Sequence, residues 1–329
     1  MKSMKRIVKE MSDRVDYLAN DGREWYAASN ERLEKWFAGA DSFPYYYGPK
    51  DNPEQFSGSY DIVDVFEVKA DEFAIAAAEF AERHTLETFA ALLDAYYIGI
   101  LADMAGHLSG KKQAGALDVD LSMESLLSLA FFGVDEQRMM MLRLKARLDE
   151  KRAEAEQKDK PELKRCYGWD SILPLSILLH NDFSAGGVVI DNLAGLLDAK
   201  KTELRENPSD NFNDIYRAGY EILSKDGENL SKDGDIFADA ICRMCEFHLE
   251  NCRTNSQKIF VFDSAQWQFF PVEILCLIKL SGRRDAALFS HPLIAPYRDF
   301  IGFDGMALLS DVSRKMRDTL FSRFAYRAL

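Results

Sequence analysis

The sequence lacks the short motifs that mark many enzymes of known mechanism. Gly186-Gly187 is not followed by the glycine and lysine of a phosphate-binding loop. A Gly-x-Ser-x-Gly elbow, a His-Glu-x-x-His zinc motif and an Asp-Asp-x-x-Asp diphosphate motif are missing as well. Because an active site can be assembled from scattered residues, these absences lower the expectation of an enzyme without excluding one.

Cysteine is scarce, and long apolar runs are missing. The five cysteines are odd in number and irregularly spaced, which excludes a disulfide framework and fits reduced thiols in the cytoplasm. Residues 1–10 contain bases but no apolar stretch, so we expect no signal peptide there. The strongest apolar runs, at 172–179 and 274–280, are far shorter than the ~20 residues that a bilayer demands. We therefore expect a cytoplasmic protein without a membrane segment.

Positive charge is in short supply. The chain has 54 acids against 41 bases and a net charge of −13. Direct binding to naked nucleic acid or to an anionic membrane requires a basic face, so both are disfavoured as partners. A basic protein is the natural complement, although an acidic surface also serves plain solubility.

Apolar spacing predicts helices along nearly the whole chain. Residues 71–108, for example, indicate one long helix or two that divide at His84-Thr85. Only residues 259–262 resemble a β-segment, and no repeat is visible. The predicted fold is all-α, an irregular multi-helix bundle with at most one short β-segment. We expect an N-terminal helical region at 1–120 and a C-terminal helical domain at 121–329.

Residues 41–60 are predicted to form a long loop, because prolines and glycines interrupt any helix there. The loop carries six aromatic residues, among them Tyr45, Tyr46 and Tyr47. Such residues either pin a loop to the core or offer a contact surface. The sequence leaves both roles open.

Acidic residues are concentrated in two zones. Residues 41–82 contain ten acids and only two lysines, and residues 203–239 contain ten acids and four bases. The C-terminal helix is basic instead, with Arg314, Lys315, Arg317, Arg323 and Arg327. A concentrated field steers a basic partner better than a diffuse one, while a solvated face remains the plainer interpretation.

Four metal-ligand side chains lie close together in the sequence: Cys242, Cys245, His248 and Cys252. The last three fall on one helical face. Ligands from a single helix converge poorly on a tetrahedral zinc ion, and buried cysteine also behaves as a small apolar residue. We therefore predict no metal and no cofactor, although the sequence leaves open whether this group binds a metal.

Residues 245–300 carry a series of landmarks in a distinctive order. Phe247-His248 is followed by a linker and by Trp267, then by Phe270 and Glu273 within an apolar stretch, and then by a turn at 281–285. The series ends with His291-Pro292 and Tyr297. In order and spacing it resembles the PoNi-type immunity proteins, which protect bacteria from polymorphic DNase toxins. The chain departs from that pattern at Phe270, where the family prefers Trp, and at Arg283-Arg284, which replaces an acidic turn.

The resemblance implies an all-helical protein that acts in competition between bacteria by binding a toxin directly and blocking its active site. A nuclease toxin has a basic substrate surface, which an acidic face can occupy in place of phosphate. As partner-binding residues we predict Asp61, Asp64, Glu67, Asp71 and Glu72, with Asp210 and Asp214 as a second contribution. The landmarks Trp267, Phe270, Glu273, His291, Pro292 and Tyr297 are expected to be structural.

Three further expectations follow from single features. Glu273 lies in an apolar helix and needs a buried partner, for which Arg298, Arg283 or a backbone cap are candidates. The alternative function is a helical metal-dependent hydrolase that uses scattered acids with His248 or His291. A scaffold or dimerisation module based on the tyrosine loop is a weaker alternative, and a homodimer is compatible with the immunity function too.

Overall fold

The computed structural model describes residues 2–20, 23–47, 49, 51–52, 54–110, 118–158, 171–190, 212–224, 234–254 and 260–324. The all-α class is confirmed, since helices dominate and the described strands form one small antiparallel sheet. The helices are α1 (Met4–Asn20), α2 (Arg23–Phe37), α3 (Ile62–Ala70), α4 (Phe73–Glu82), α5 (Leu86–Leu108), α6 (Asp118–Phe131), α7 (Val134–Lys158), α8 (Ile172–Phe183), α9 (Phe212–Ser224), α10 (Gly234–Glu250), α11 (Ala265–Phe269), α12 (Val272–Leu280), α13 (Gly305–Leu308) and α14 (Asp311–Arg323). The strands are β1 (Phe43–Tyr47) and β2 (Phe56–Tyr60), and short 3₁₀ turns span Ala286–Phe289 and Ala295–Tyr297.

The chain divides into two compact units whose bounds differ from the predicted 1–120 and 121–329. The first unit comprises Lys9–Ala114 and Leu308–Leu329, and the second comprises Met1–Val8 and Gly115–Ala307. The first eight residues therefore belong to the unit that contains most of the C-terminal half, and residues 308–329 belong to the unit that contains most of the N-terminal part. The C-terminal helix α14 packs on α5, whereas the Lys2 ammonium donates to the Gln268 side chain over 2.6 Å. These pairings between distant residues leave no local trace in the sequence.

The first unit is built around α5. Thr85 accepts from the Thr88 amide and begins the helix, so of the two arrangements that the sequence left open the divided one is present. Helices α3, α4 and α14 pack against it. Within the described residues, α5 is the one helix long and apolar enough to cross a membrane, and 78% of its most apolar window is buried inside the protein. Burial on most sides is what a central core helix requires.

The second unit has α6 and α12 at its centre. Every residue from Val272 to Ile278 is buried, including Glu273. Helix α6 packs against α7, α8 and α12, so α12 is covered by helices rather than by solvent. An apolar helix of this kind forces any polar side chain it carries to find a partner in the interior.

The predicted loop at 41–60 is instead a β-hairpin. Strands β1 and β2 pair antiparallel, with Phe43 opposite Tyr60 and Tyr47 opposite Phe56. The β-segment expected at 259–262 amounts to one isolated bridge between Cys252 and Phe262, and Ile259 lies outside the described residues. The loop was predicted because proline and glycine interrupt helices. Aromatic residues favour strands, however, and Pro44 is compatible with a strand at the edge of a sheet.

One face of the hairpin is held by a stack of side chains. The rings of Tyr45 and Tyr60 stack with centroids 4.2 Å apart, and the Arg32 guanidinium lies 4.4 Å above Tyr60. The Tyr45 ring also lies directly over Gly58, where an added Cβ would approach the ring carbon Cζ to 2.5 Å. Glycine at position 58 therefore makes room for the stack.

We expect Gly58→Ala to push Tyr45 off Tyr60 and loosen the hairpin. Loss of one aromatic contact should speed amide hydrogen exchange in peptides covering 43–60 by roughly two- to tenfold. The exchange of α5 should not change. Ser57→Ala, at an exposed position on the opposite face of β2, is the matched control. Equal exchange in both variants would show that the stack does not hold the hairpin.

Candidate functional site

The N-terminus of α3 carries two of the predicted contact acids. Asp61 caps the helix, since its carboxylate accepts from the amides of Val63 and Asp64 over 2.8 and 3.3 Å. Asp64 in turn accepts from the Asp61 amide over 2.8 Å and completes a capping box. Both carboxylates are half-buried, and both stabilise α3 through otherwise unpaired amides.

Two other predicted acids are bound to cations of the same unit. Asp71 forms an ion pair with Arg14, and Glu72 forms one with Lys69. Asp214 is exposed in the first turn of α9 in the second unit, and Asp210 lies outside the described residues. Among the predicted contact acids that the structure describes, Glu67 and Asp214 are the ones that it leaves exposed.

Carboxylates accumulate around Glu67 on one side of α3. Asp64 and Asp71 lie three residues before and four residues after it, spacings that bring side chains onto one helical face. Partial desolvation and the carboxylates of Asp64, Asp103 and Asp71 raise the pKa of Glu67, although its side chain is exposed. Desolvation also raises the pKa of Asp64. We call Asp64, Glu67, Asp71 and Asp103 the α3 acidic cluster.

The basic C-terminal helix does not present a separate positive surface. Arg323 donates to Asp41 over 2.6 Å and to the backbone oxygens of Trp36 and Ala40, and its guanidinium lies over the Trp36 ring. These groups line part of a cleft of about 660 Å³ in the first unit, which Asp61 also borders. The exposed charges of Arg314, Lys315 and Arg317 likewise lie beside acids, in the pairs Arg314–Asp311, Lys315–Glu34 and Arg317–Asp318. Arg327 lies outside the described residues.

The family-like landmarks lie mainly in the core of the second unit. The Trp267 indole donates to Asp120 over 2.7 Å, and the Tyr297 hydroxyl donates to the Phe269 carbonyl over 3.1 Å. The rings of Phe270 and Tyr297 are 5.3 Å apart. His291 accepts from the Leu293 amide in a half-buried turn, beside the exposed Pro292. These contacts are structural ones.

Glu273 pairs with His248, and the expected partners Arg298, Arg283 and a backbone cap were wrong. The His248 Nδ1 lies 2.7 Å from the Glu273 Oε1, and both side chains are 0% exposed. The Tyr216 hydroxyl donates to the same oxygen over 3.3 Å, and the Phe262 ring stacks on the imidazole. Arg283 binds Asp285 instead, and Arg298 is exposed.

The Glu273 carboxylate favours the protonated form of the His248 imidazole. Burial by itself lowers the pKa of His248, but the Glu273 carboxylate and the Cys252 sulfur outweigh it and raise that pKa to about 10. Desolvation, together with the Glu273 charge, raises the pKa of the Cys245 thiol. That thiol is therefore kept in its neutral form, which is a poor metal ligand.

Two side-chain groups resemble catalytic dyads but are closed to substrates. Cys252, His248 and Glu273 are each 0% exposed. The Ser125 hydroxyl lies 2.9 Å from the Nε2 of His180, both residues are buried, and desolvation lowers the pKa of His180 to about 4. Spacing could not have revealed this serine–histidine pair, whose members lie on α6 and α8. Among the described residues, no group of three His, Cys, Asp or Glu side chains is placed to hold a metal ion.

Comparison with family models, curated proteins and solved structures gave no match to the chain. Function must therefore be argued from the residues themselves.

We expect Glu273→Gln to destabilise the second unit by about 3 kcal/mol near pH 6, because the variant leaves a buried imidazolium without its counter-charge. Since the folded pKa of His248, about 10, exceeds its ordinary value of 6.5, the stabilisation is complete below 6.5 and is lost as the pH rises through 10. Urea unfolding across that pH range should show this decline in the natural protein and not in the variant.

Tyr216→Phe is the control for the buried pair. It removes one hydrogen bond to Glu273 and keeps the charges, so we expect a loss of about 1 kcal/mol with the same pH dependence as the natural protein. If Glu273→Gln retained the full pH dependence, the pair would not be charged.

In the α3 acidic cluster, we expect a substitution to stabilise the protein instead of destabilising it. Glu67→Gln should raise the free energy of unfolding at pH 7 by about 0.2–0.5 kcal/mol, because it removes like-charge contacts on the helix. A raised carboxyl pKa means that the folded state favours the protonated form. The gain should therefore disappear below the ordinary value of 4.5. Glu79→Gln, an exposed acid on α4, is the control and should lack this pH-dependent gain.

Proposed function

We propose that this protein is an immunity protein that binds a cognate basic nuclease toxin and neutralises it by covering the toxin's active-site surface. The observation that carries the proposal is the α3 acidic cluster. Desolvation and the neighbouring carboxylates raise the pKa of Glu67, so its charge costs folding free energy, and Glu67 remains open to solvent. Charges that cost folding free energy are typical of functional sites, and an exposed one is typical of a surface that binds a partner.

The physical role of the cluster is to compete with nucleic acid. A nuclease binds phosphates through arginine and lysine side chains, and a carboxylate surface offers the same cations an alternative partner. The complementary field would also speed the encounter between the two proteins. A cation bound at Glu67 would offset the neighbouring carboxylate charges that raise the pKa of Glu67.

The described interior supports a binding role rather than a catalytic one. The histidine groups that have the composition of catalytic sites, around His248 and His180, are sealed and serve as internal hydrogen-bond networks. The exposed carboxylate of α3, that of Glu67, stands on a helix that packs on α5. Rigid placement lowers the entropic cost of binding.

The proposal is tested with the product of the gene immediately upstream. Purified product should degrade plasmid DNA, and stoichiometric addition of this protein should abolish the cleavage. In the double variant Asp64→Asn/Glu67→Gln, which keeps acceptor oxygens at both positions, affinity for the toxin should fall about tenfold, mainly through slower association. Stopped-flow kinetics at low and physiological salt would measure the association rate.

The matched control is Glu79→Gln/Glu82→Gln, which removes the same charge from exposed positions on α4. It should bind and protect like the natural protein, and thermal unfolding checks that both double variants fold. An upstream product that is no toxin, or one that is not bound, contradicts the proposal. If both double variants lost affinity for the toxin equally, the α3 acidic cluster would act only through its contribution to the net charge.

A further inference from the structure

We propose that the side-chain amine of Lys279 is a site of covalent acylation, with acyl phosphates as the donors. Lys279 is in the last turn of α12, in the second unit, and its side chain is half-buried. The α3 acidic cluster, which is the proposed toxin contact, lies in the first unit. The modification and the toxin contact therefore involve different residues.

The Lys279 ammonium is held by a backbone carbonyl and an aromatic ring. Its Nζ donates to the Phe303 carbonyl oxygen over 2.6 Å and lies 4.1 Å from the centre of the Phe131 ring. Among the residues that the structure describes, no carboxylate forms an ion pair with it. A carbonyl and a ring compensate an ammonium for lost hydration less well than a carboxylate does, so burial here favours the neutral amine.

A second cation lies beside this amine. The Arg284 guanidinium lies over Gly302, where an added Cβ would overlap it. Gly302 directly precedes Phe303, so the two cations contact consecutive residues of the segment before α13. Arg284 is exposed, and within the described ranges it forms no ion pair. Its guanidinium is therefore open to an anion from solvent.

These surroundings bring the ionisation of Lys279 close to neutral pH. Desolvation lowers the pKa of its amine from 10.5 to about 8. The Asp304 carboxylate and the Cys276 thiol oppose this shift of the pKa, whereas the Arg284 charge adds to it. With a pKa of about 8, about a quarter of the amine is neutral at pH 7.5, against roughly 0.1% for a lysine of ordinary pKa.

A neutral amine beside a guanidinium provides the two functions that acylation by an acyl phosphate requires. Lysine becomes a nucleophile when it is desolvated or placed next to another cation, and both conditions hold for Lys279. Arginine binds phosphate oxygens through paired N–H donors, so Arg284 would hold the donor beside the amine. The Nζ lone pair attacks the carbonyl carbon and forms a C–N bond, while the C–O bond breaks and its electron pair leaves with the phosphate. The proton of the amine passes to water, and the product is a neutral amide.

The first measurement is trace labelling of the full chain with acetic anhydride, a neutral acyl donor, followed by peptide mass spectrometry. Lys145, an exposed lysine on α7 of the same unit, is the internal reference. At pH 7.5 we expect Lys279 to be labelled roughly tenfold faster, a smaller ratio than ionisation alone gives, because a less basic amine is also a weaker nucleophile. The rate at Lys279 should level off as the pH passes its pKa of about 8. In urea, where the chain is unfolded, the preference should vanish.

The second measurement uses acetyl phosphate and tests the role of Arg284. Arg284→Gln should slow acetylation of Lys279 by acetyl phosphate about tenfold but by acetic anhydride only about twofold, because the neutral donor needs no cation to bind it. Arg298→Gln removes another exposed arginine of the same unit and is the matched control, which should react like the natural protein with both reagents. Asp304→Asn removes the carboxylate that favours the ammonium and should speed both reactions.

Three results would overturn the proposal. The first is labelling of Lys279 that is no faster than that of Lys145 in the folded protein. The second is a labelling rate at Lys279 that keeps rising up to pH 10, since the amine would then be an ordinary one. The third is equal reaction of Arg284→Gln and Arg298→Gln with acetyl phosphate, which would exclude Arg284 as the group that binds the donor and acyl phosphates as the donor class.

Discussion

Repulsion among carboxylates is the constraint under which this chain folds. With 54 acids and 41 bases, it cannot pair every negative charge. In the first unit, several cations pair with acids of the same unit: Arg14 binds Asp71, Lys69 binds Glu72 and Arg323 binds Asp41. Two acids cap α3 instead. Glu67 remains exposed beside Asp64, Asp71 and Asp103, whose charges raise its pKa.

In the second unit, by contrast, an acid and a histidine pair in the buried core. Glu273 on α12 and His248 on α10 form a hydrogen-bonded pair within an apolar core, with Tyr216 and Phe262 around them. Such a pair adds little stability over an apolar replacement, but either partner alone would be costly. The pair links α12 to α10 in the core of the second unit.

Local patterns in the sequence were enough to predict the helical class, and they left open whether a division precedes α5. They failed where residues far apart in sequence meet. The hairpin was missed because Pro44 and Gly58 indicate a loop, whereas the decisive contact is the Tyr45 ring lying over Gly58. The partner of Glu273 was missed because His248 lies 25 residues away, on another helix. The sequence located the acidic zone at 41–82 but could not tell capping and paired acids from the exposed Glu67.

The two acidic features of this chain act over different distances. Exposed charge acts over about a Debye length and depends little on orientation, so the α3 acidic cluster suits the encounter with a basic protein. The pair of Glu273 and His248 is sealed in the second unit and acts only on its neighbours in the core. A surface with charge alone would accept any cation, so selection among basic partners requires contacts of fixed geometry in addition to that charge.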